Sequence, residues 1–157
     1  MNKLYFTKAE GIYDRLDGIL KGLLGFSPQI LRTENGKPYI DGNPLYFSLS
    51  HSGKHGVIAV CDKPVGVDLE LFKNKTHSLM ISGFPEEEQA EISDERQFLM
   101  HWTAREAFIK MKGSTLAKSL KSTSYTGGKI YFEGAEQACA IYQHFTEHGV
   151  VTVCIAE

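Results

Sequence analysis

Between Lys8 and Leu24 the apolar residues Ile12, Leu16, Ile19, Leu20, Leu23 and Leu24 recur at helical spacing, and this predicts an amphipathic helix that stops at Gly25. "LYFT" before it predicts a strand. After Gly25 the rhythm changes. The short apolar runs "QILRT", "YI", "LYFSLS", "GVIAVC" and "VGVDLEL" are separated by "ENGKP", "DGNP", "HSGKH" and "DKP", whose Gly, Pro, Asn and Asp favour turns. That pattern predicts an antiparallel meander. The stretch "FKNKTHSLMISGFPEEEQAEIS" is mixed and charged, and predicts only short helical pieces around "PEEEQAEI". Ser93 or Asp94 then stands as the cap of a long helix, "DERQFLMHWTAREAFIKMK", ended by Gly113. The runs "STSYT", "KIYFE", "ACAIYQHF" and "VVTVCIA" beyond it predict further strands.

Helix, strands, helix, strands is the order of an α+β chain made of two halves of similar layout, 1–72 and 73–157, although no internal repeat is visible in the letters. A chain of 157 residues is long enough for one compact unit in which two such halves share a core. Seventeen Lys and Arg against nineteen Asp and Glu leave a formal charge of −2, so nothing global points to a nucleic acid and any anion site must be local. Cys61, Cys139 and Cys154 are odd in number, widely spaced and set in apolar runs, which suits free buried thiols better than disulfides or zinc. No apolar stretch has the length of a signal peptide core or a membrane span, and a cytoplasmic location is expected.

Four constellations carry chemistry. Alternation along "VGVDLEL" puts Val65, Val67, Leu69 and Leu71 on one face of a strand and Gly66, Asp68 and Glu70 on the other. Two neighbouring carboxylates repel unless water surrounds them or a cation lies between them, so this is a solvated face or half of a metal site. On the long helix Trp102, Glu106 and Lys110 share one stripe, with Arg105 and Ile109 beside it. They form either a surface ion pair or, since Trp102, Phe108 and Met111 imply a packed helix, a Glu and a Lys facing a cleft. Ser50, His51 and Ser52, followed by Gly53 and Lys54, lie between two apolar strands and make either a plain hairpin turn or a phosphate cradle. A Ser-His hydrolase pair is disfavoured because no G-x-S-x-G surrounds either serine. Lastly, Lys37 in "ENGKPYI" is held extended by Pro38.

Taken in order, G-K-P, F-S-L-S-H-S, V-G-V-D-L-E and W-T-A-R-E-A-F-I-K, from about residue 28 to 120, resemble the 4'-phosphopantetheinyl transferase superfamily. The likeness is closer to its monomeric, pseudo-dimeric, surfactin-synthetase-activating branch than to the trimeric holo-acyl-carrier-protein synthases. It implies two halves related by pseudo-twofold symmetry, each a long helix on an antiparallel sheet, with the active site between them. It further implies Mg2+-dependent transfer of 4'-phosphopantetheine from coenzyme A to a serine hydroxyl of an apo acyl or peptidyl carrier protein, releasing adenosine 3',5'-bisphosphate, with Mn2+ as the alternative cation. By the same resemblance Asp68, Glu70 and Glu106 are metal ligands, and Lys110 contacts the phosphates. Glu106 or a water is the base. Ser50 and His51 hold the nucleotide end, His51 at the 3'-phosphate, with Lys37 and Arg15 as further basic contacts. Arg105 stands where the family motif usually has lysine, and only Lys3 and Lys8 precede the first helix as basic residues, so coenzyme A selectivity is where a difference is expected. Lys112, Lys118 and Lys121 are candidates for a docking surface toward an acidic carrier, the alternative being ordinary solvated lysines. Two rival readings are a non-catalytic binding module and a magnesium-dependent pyrophosphate hydrolase. Neither nucleic acid nor membrane is an expected partner.

Overall fold

Helix α1 (Ile12–Leu24), preceded by strand β1 (Asn2–Lys8), forms where the apolar spacing places it, with Ile12, Leu16 and Leu20 buried along one stripe. The computed structural model describes residues 2–42 and 44–157; Met1 and Asn43, the latter in the turn expected over 41–44, lie outside them. Gly25 adopts φ 80°, and its N–H reaches the Lys21 carbonyl to close the helix. The expected helix began four residues early, because Lys8 still belongs to the strand and pairs with His55.

Strands β2 (Ile30–Arg32), β3 (Pro38–Ile40), β4 (Tyr46–Ser52), β5 (His55–Cys61) and β6 (Val65–Leu71) follow the expected apolar runs. They do not continue as one meander. β5 has β1 on one edge and β4 on the other, so β6 finds no free edge there. Instead it pairs antiparallel with the last strand of the chain. Between lie helices α2 (Ser78–Ile81), α3 (Glu86–Gln89), α4 (Glu95–Lys112) and α5 (Leu116–Ser119). Strands β7 (Thr123–Thr126), β8 (Lys129–Phe132), β9 (Ala135–Glu136), β10 (Cys139–Phe145) and β11 (Gly149–Ala156) complete the order. Helices and antiparallel sheets are thus combined as expected of an α+β chain.

Alternation sorts the core into layers. Ile58 and Val60 of β5 meet Ile12, Leu16 and Leu20 of α1, while Val57, Ala59 and Cys61 turn the other way. Those three meet Val65, Val67 and Leu69 of β6 and Val151, Val153 and Ile155 of β11. On the far side of that second sheet, ordered β10-β11-β6, α4 buries Ala104, Ala107, Phe108 and Ile109. The sequence of layers is helix, sheet, sheet, helix, and β6 ties the first 72 residues into the sheet of the rest. All three cysteines are free thiols, two buried and Cys139 partly so. Among the described residues no helix is long and apolar enough to cross a membrane.

Helix α4 starts at Asp94, which accepts from the Gln97 N–H at 2.8 Å, and stops at Gly113 with φ 69°. Its interior holds Arg105, whose Nε donates to Glu88 Oε1 at 2.9 Å and whose terminal nitrogen pairs with Glu88 Oε2. The guanidinium also lies 3.8 Å over the Phe84 ring. His101 Nδ1 is 3.1 Å from the same carboxylate, which is 0% exposed. Burial alone would raise the Glu88 carboxyl, but the hydrogen bonds from His101 and Arg105 outweigh it and hold it below its ordinary value. Arg105 therefore points into the protein and clamps α3 to α4. Arg105→Lys, which keeps the charge but loses the planar fork, is expected to lower the unfolding free energy by about 1–3 kcal/mol. Arg105→Ala, which strands Glu88, is expected to lower it by about 3–5 kcal/mol. Urea denaturation of the two variants checks both values.

Candidate functional site

The site begins with a residue that lacks a side chain. Gly66 faces α4 so closely that a Cβ there would overlap the backbone of Ala107 and Met111. With the two backbones that near, the next residues on the same face of β6 run antiparallel to the helix stripe. Asp68 meets Glu106 and Lys110, and Glu70 meets Trp102. One carboxylate oxygen from each of Asp68, Glu70 and Glu106 lies within 4.8 Å of the other two. Lys110 Nζ donates to Asp68 Oδ1 at 2.7 Å and to the Val67 carbonyl at 3.1 Å.

Burial makes this crowding costly. Asp68 is 2% exposed; its Oδ1 accepts from Lys110 and from Ser50 Oγ at 3.0 Å. Its Oδ2 has no partner, and among the described residues it is the sole buried side-chain nitrogen or oxygen in that condition. Burial, and next the Asp68 charge, push the Glu106 carboxyl up to about 8. The same two causes raise Glu70. Three carboxylates facing one ammonium are short of positive charge. The donors are all oxygen, one of the carboxylates has an unpartnered buried atom, and such a set fits a hard divalent cation such as Mg2+.

The remaining residues singled out in the sequence are placed differently. Lys37 Nζ donates to the carbonyls of Lys110, Met111 and Val65 at 2.6, 3.2 and 3.2 Å, so it ties the end of α4 to the start of β6. Burial lowers this ammonium to about 8. Ser50, 7% exposed, is turned toward Asp68, whereas His51 is exposed on the other face of β4. Arg15 is exposed on α1, in a hollow with Phe6, Lys8 and Asp14. A cleft of about 210 Å³ opens beside Lys110, walled by Tyr13, Lys37, Pro38, Phe47 and Leu49. Lys118 donates to Asn35 Oδ1 at 2.6 Å, Lys112 lies over Phe132 at 4.6 Å, and Lys121 is exposed. Sequence reasoning did not foresee that Ser48 and Ser50 serve β6, their Oγ atoms accepting from the Val67 and Leu69 N–H groups at 3.0 and 3.2 Å. The signal was present as two hydroxyls alternating with Phe47 and Leu49 in an apolar strand.

The sequence model of the 4'-phosphopantetheinyl transferase superfamily matches residues 64–154, a span that holds all three clustered carboxylates and Lys110. A 4'-phosphopantetheinyl transferase of Bacillus subtilis is 36% identical over 98 residues, 58% of this chain and 44% of that protein. The 4'-phosphopantetheinyl transferase psf-1 of Bacillus pumilus is 39% identical over 101 residues, 59% and 43% of the two chains. Sfp of Bacillus subtilis is 30% identical over 138 residues, 78% and 61%. The chain spans about half the length of the curated relatives it matches.

The raised Glu106 carboxyl has a measurable consequence in cation-free protein. Between its ordinary value of 4.5 and about 8 the folded protein keeps a proton that the unfolded chain has released, so stability falls as pH rises through that window. Thermal denaturation in EDTA from pH 5 to 9 is expected to show this slope, and Glu106→Gln is expected to flatten it.

Proposed function

Since the chain belongs to the 4'-phosphopantetheinyl transferase superfamily, we propose that it transfers 4'-phosphopantetheine from coenzyme A to a serine hydroxyl of an apo carrier protein, releasing adenosine 3',5'-bisphosphate. The observation that carries this reading is the cluster of buried Asp68 with half-buried Glu70 and Glu106, and Lys110 beside a cleft. Asp68, Glu70 and Glu106 would hold Mg2+, or Mn2+ in its place. When bound, the cation supplies neutralisation of pyrophosphate oxygens.

The chain's own groups divide the rest. Lys110, 33% exposed and anchored by Asp68 and the Val67 carbonyl, presents its remaining donor capacity to a phosphate oxygen and stabilises the charge that grows on the leaving group. Glu106, on the next turn of α4 toward its start, or a water, is proposed to take the proton of the carrier serine. The cleft walled by Tyr13, Pro38, Phe47 and Leu49 offers apolar surface beside that ammonium for part of coenzyme A. His51 and Arg15, both exposed, are proposed contacts to its nucleotide phosphates. Lys112 and Lys121 are proposed to meet an acidic carrier. In the same reading residues 1–72, with α1 on the β1-β5-β4 sheet, and residues 73–157, with α4 on the sheet that β6 completes, are the two pseudo-twofold halves of a monomer.

Incubation of apo acyl and peptidyl carrier proteins with this protein, coenzyme A and Mg2+ is expected to add one phosphopantetheine, read as intact mass. EDTA and Asp68→Ala are expected to abolish the gain, and Lys110→Ala to lower kcat/KM by about 10²–10³. No mass gain on any carrier sinks the transfer reading.

A further inference from the structure

We propose that His55 and His148 form a binding site for a divalent transition-metal ion, Cu2+ or Zn2+, apart from the carboxylate cluster. The two residues are far apart in sequence and meet where the turn after β4 approaches the turn before β11. Their ring centroids are 4.8 Å apart and the planes are inclined by 34°. An ion held at about 2.0–2.1 Å by an imidazole nitrogen stands about 3.1 Å from the centre of that ring. Two rings sharing it have centres about 4.4 Å apart at a right angle and about 5.1 Å apart at a tetrahedral one. The separation of His55 and His148 falls between these values.

Both rings have a nitrogen to give. His148 Nε2 lies 3.1 Å from Glu147 Oε1, and a hydrogen donated there leaves the lone pair on Nδ1. A carboxylate on the second nitrogen is a usual outer partner of a metal-bound imidazole. The His55 ring has no hydrogen bond to any described residue, so either of its neutral tautomers offers a lone pair. The backbone under each ring is fixed. His55 opens β5 and is paired with Lys8 on one side and Ser52 on the other. The His148 N–H donates to Thr146 Oγ1 at 3.2 Å, and its carbonyl accepts from the Phe72 N–H at 2.9 Å.

The surroundings suit a partly hydrated ion. Both histidines line a hollow of about 140 Å³ with Thr7, Thr146, Leu69 and Leu71. A water takes about 30 Å³, so an ion with several waters fits. Among the described residues no third side chain of ligating type completes the set, and water fills the remaining positions. Leu69 and Leu71 belong to the face of β6 opposite Asp68 and Glu70, so the sheet separates the two sites. Their chemistry separates them as well, since imidazole suits Cu2+ and Zn2+ while carboxylate oxygens suit Mg2+. An ion shared by the two histidines joins the first 72 residues to the last strand at a second point besides β6, and therefore stabilises the fold.

The test is titration of the whole protein with Cu2+ in a large excess of Mg2+, followed by electron paramagnetic resonance, with thermal denaturation in Zn2+ beside it. One Cu2+ with couplings from two imidazole nitrogens is expected, and Zn2+ is expected to raise the melting temperature. His55→Gln and His148→Gln, at positions only partly enclosed, are each expected to weaken Cu2+ at least about 100-fold and to remove the Zn2+ effect, whereas Glu147→Gln is expected to weaken Cu2+ about tenfold. His51→Gln, an exposed imidazole on the other face of β4, is expected to change neither. Binding that survives in either His55→Gln or His148→Gln, or that weakens equally in His51→Gln, overturns the shared site. Loss of the ion in Asp68→Asn places it at the carboxylates and overturns the proposal, as does the absence of nitrogen-coupled Cu2+ in the unaltered protein.

Discussion

The contact at Gly66 governs the geometry around it. There the backbone of a strand touches the backbone of α4, a separation that any side chain would widen. Every functional distance is measured across that seam, since Asp68 and Glu70 rise from one side and Glu106 and Lys110 from the other. Short carboxylates cannot bridge the wider gap usual when a helix packs on a sheet through intervening side chains. The close approach is therefore what lets three acidic groups share one small volume.

Two carboxylate sites, one fully and one partly buried, lie against the same helix and are resolved in opposite ways. Glu88 is wholly enclosed, yet Arg105 and His101 provide for both of its oxygens, and its charge is stabilised in place. Among the described residues, Asp68, Glu70 and Glu106 have Lys110 as their single ion-paired cation, and burial and repulsion raise two of the three carboxyls. An interior charge without compensation costs several kcal/mol. Such a cost persists in a fold where something else compensates it, and this asymmetry distinguishes the reactive side of α4 from its structural side.

Much of this was legible in the letters, for physical reasons. Period-two alternation in "VGVDLEL" and the four-residue spacing of Trp102, Glu106 and Lys110 depend only on local geometry, and both hold in the structure. The caps at Asp94 and Gly113 are equally local. Partnerships across the chain were harder to read. β6 left the meander because β5 had no vacant edge, a fact about β1, some sixty positions away in sequence. Glu88 belongs to a run of acids that looks solvated, and only its meeting with Arg105, 17 residues on, makes it an interior group. Lys37 beside Pro38 suggested a basic contact, and nothing in the letters pointed to the three carbonyls of α4 and β6 that its ammonium lies against.

That last arrangement bears on entropy. The final turn of a helix ordinarily frays, because its carbonyls lack partners. Here Lys37 holds the carbonyls of Lys110 and Met111, and Asn35 Nδ2 donates to that of Gly113 at 3.0 Å, so a turn 73 to 78 residues earlier in the chain splints the helix terminus. Lys110 has its backbone held at one end and its ammonium at the other. The freedom that a long flexible side chain normally surrenders on meeting a ligand, up to about 2 kcal/mol, has been largely surrendered during folding.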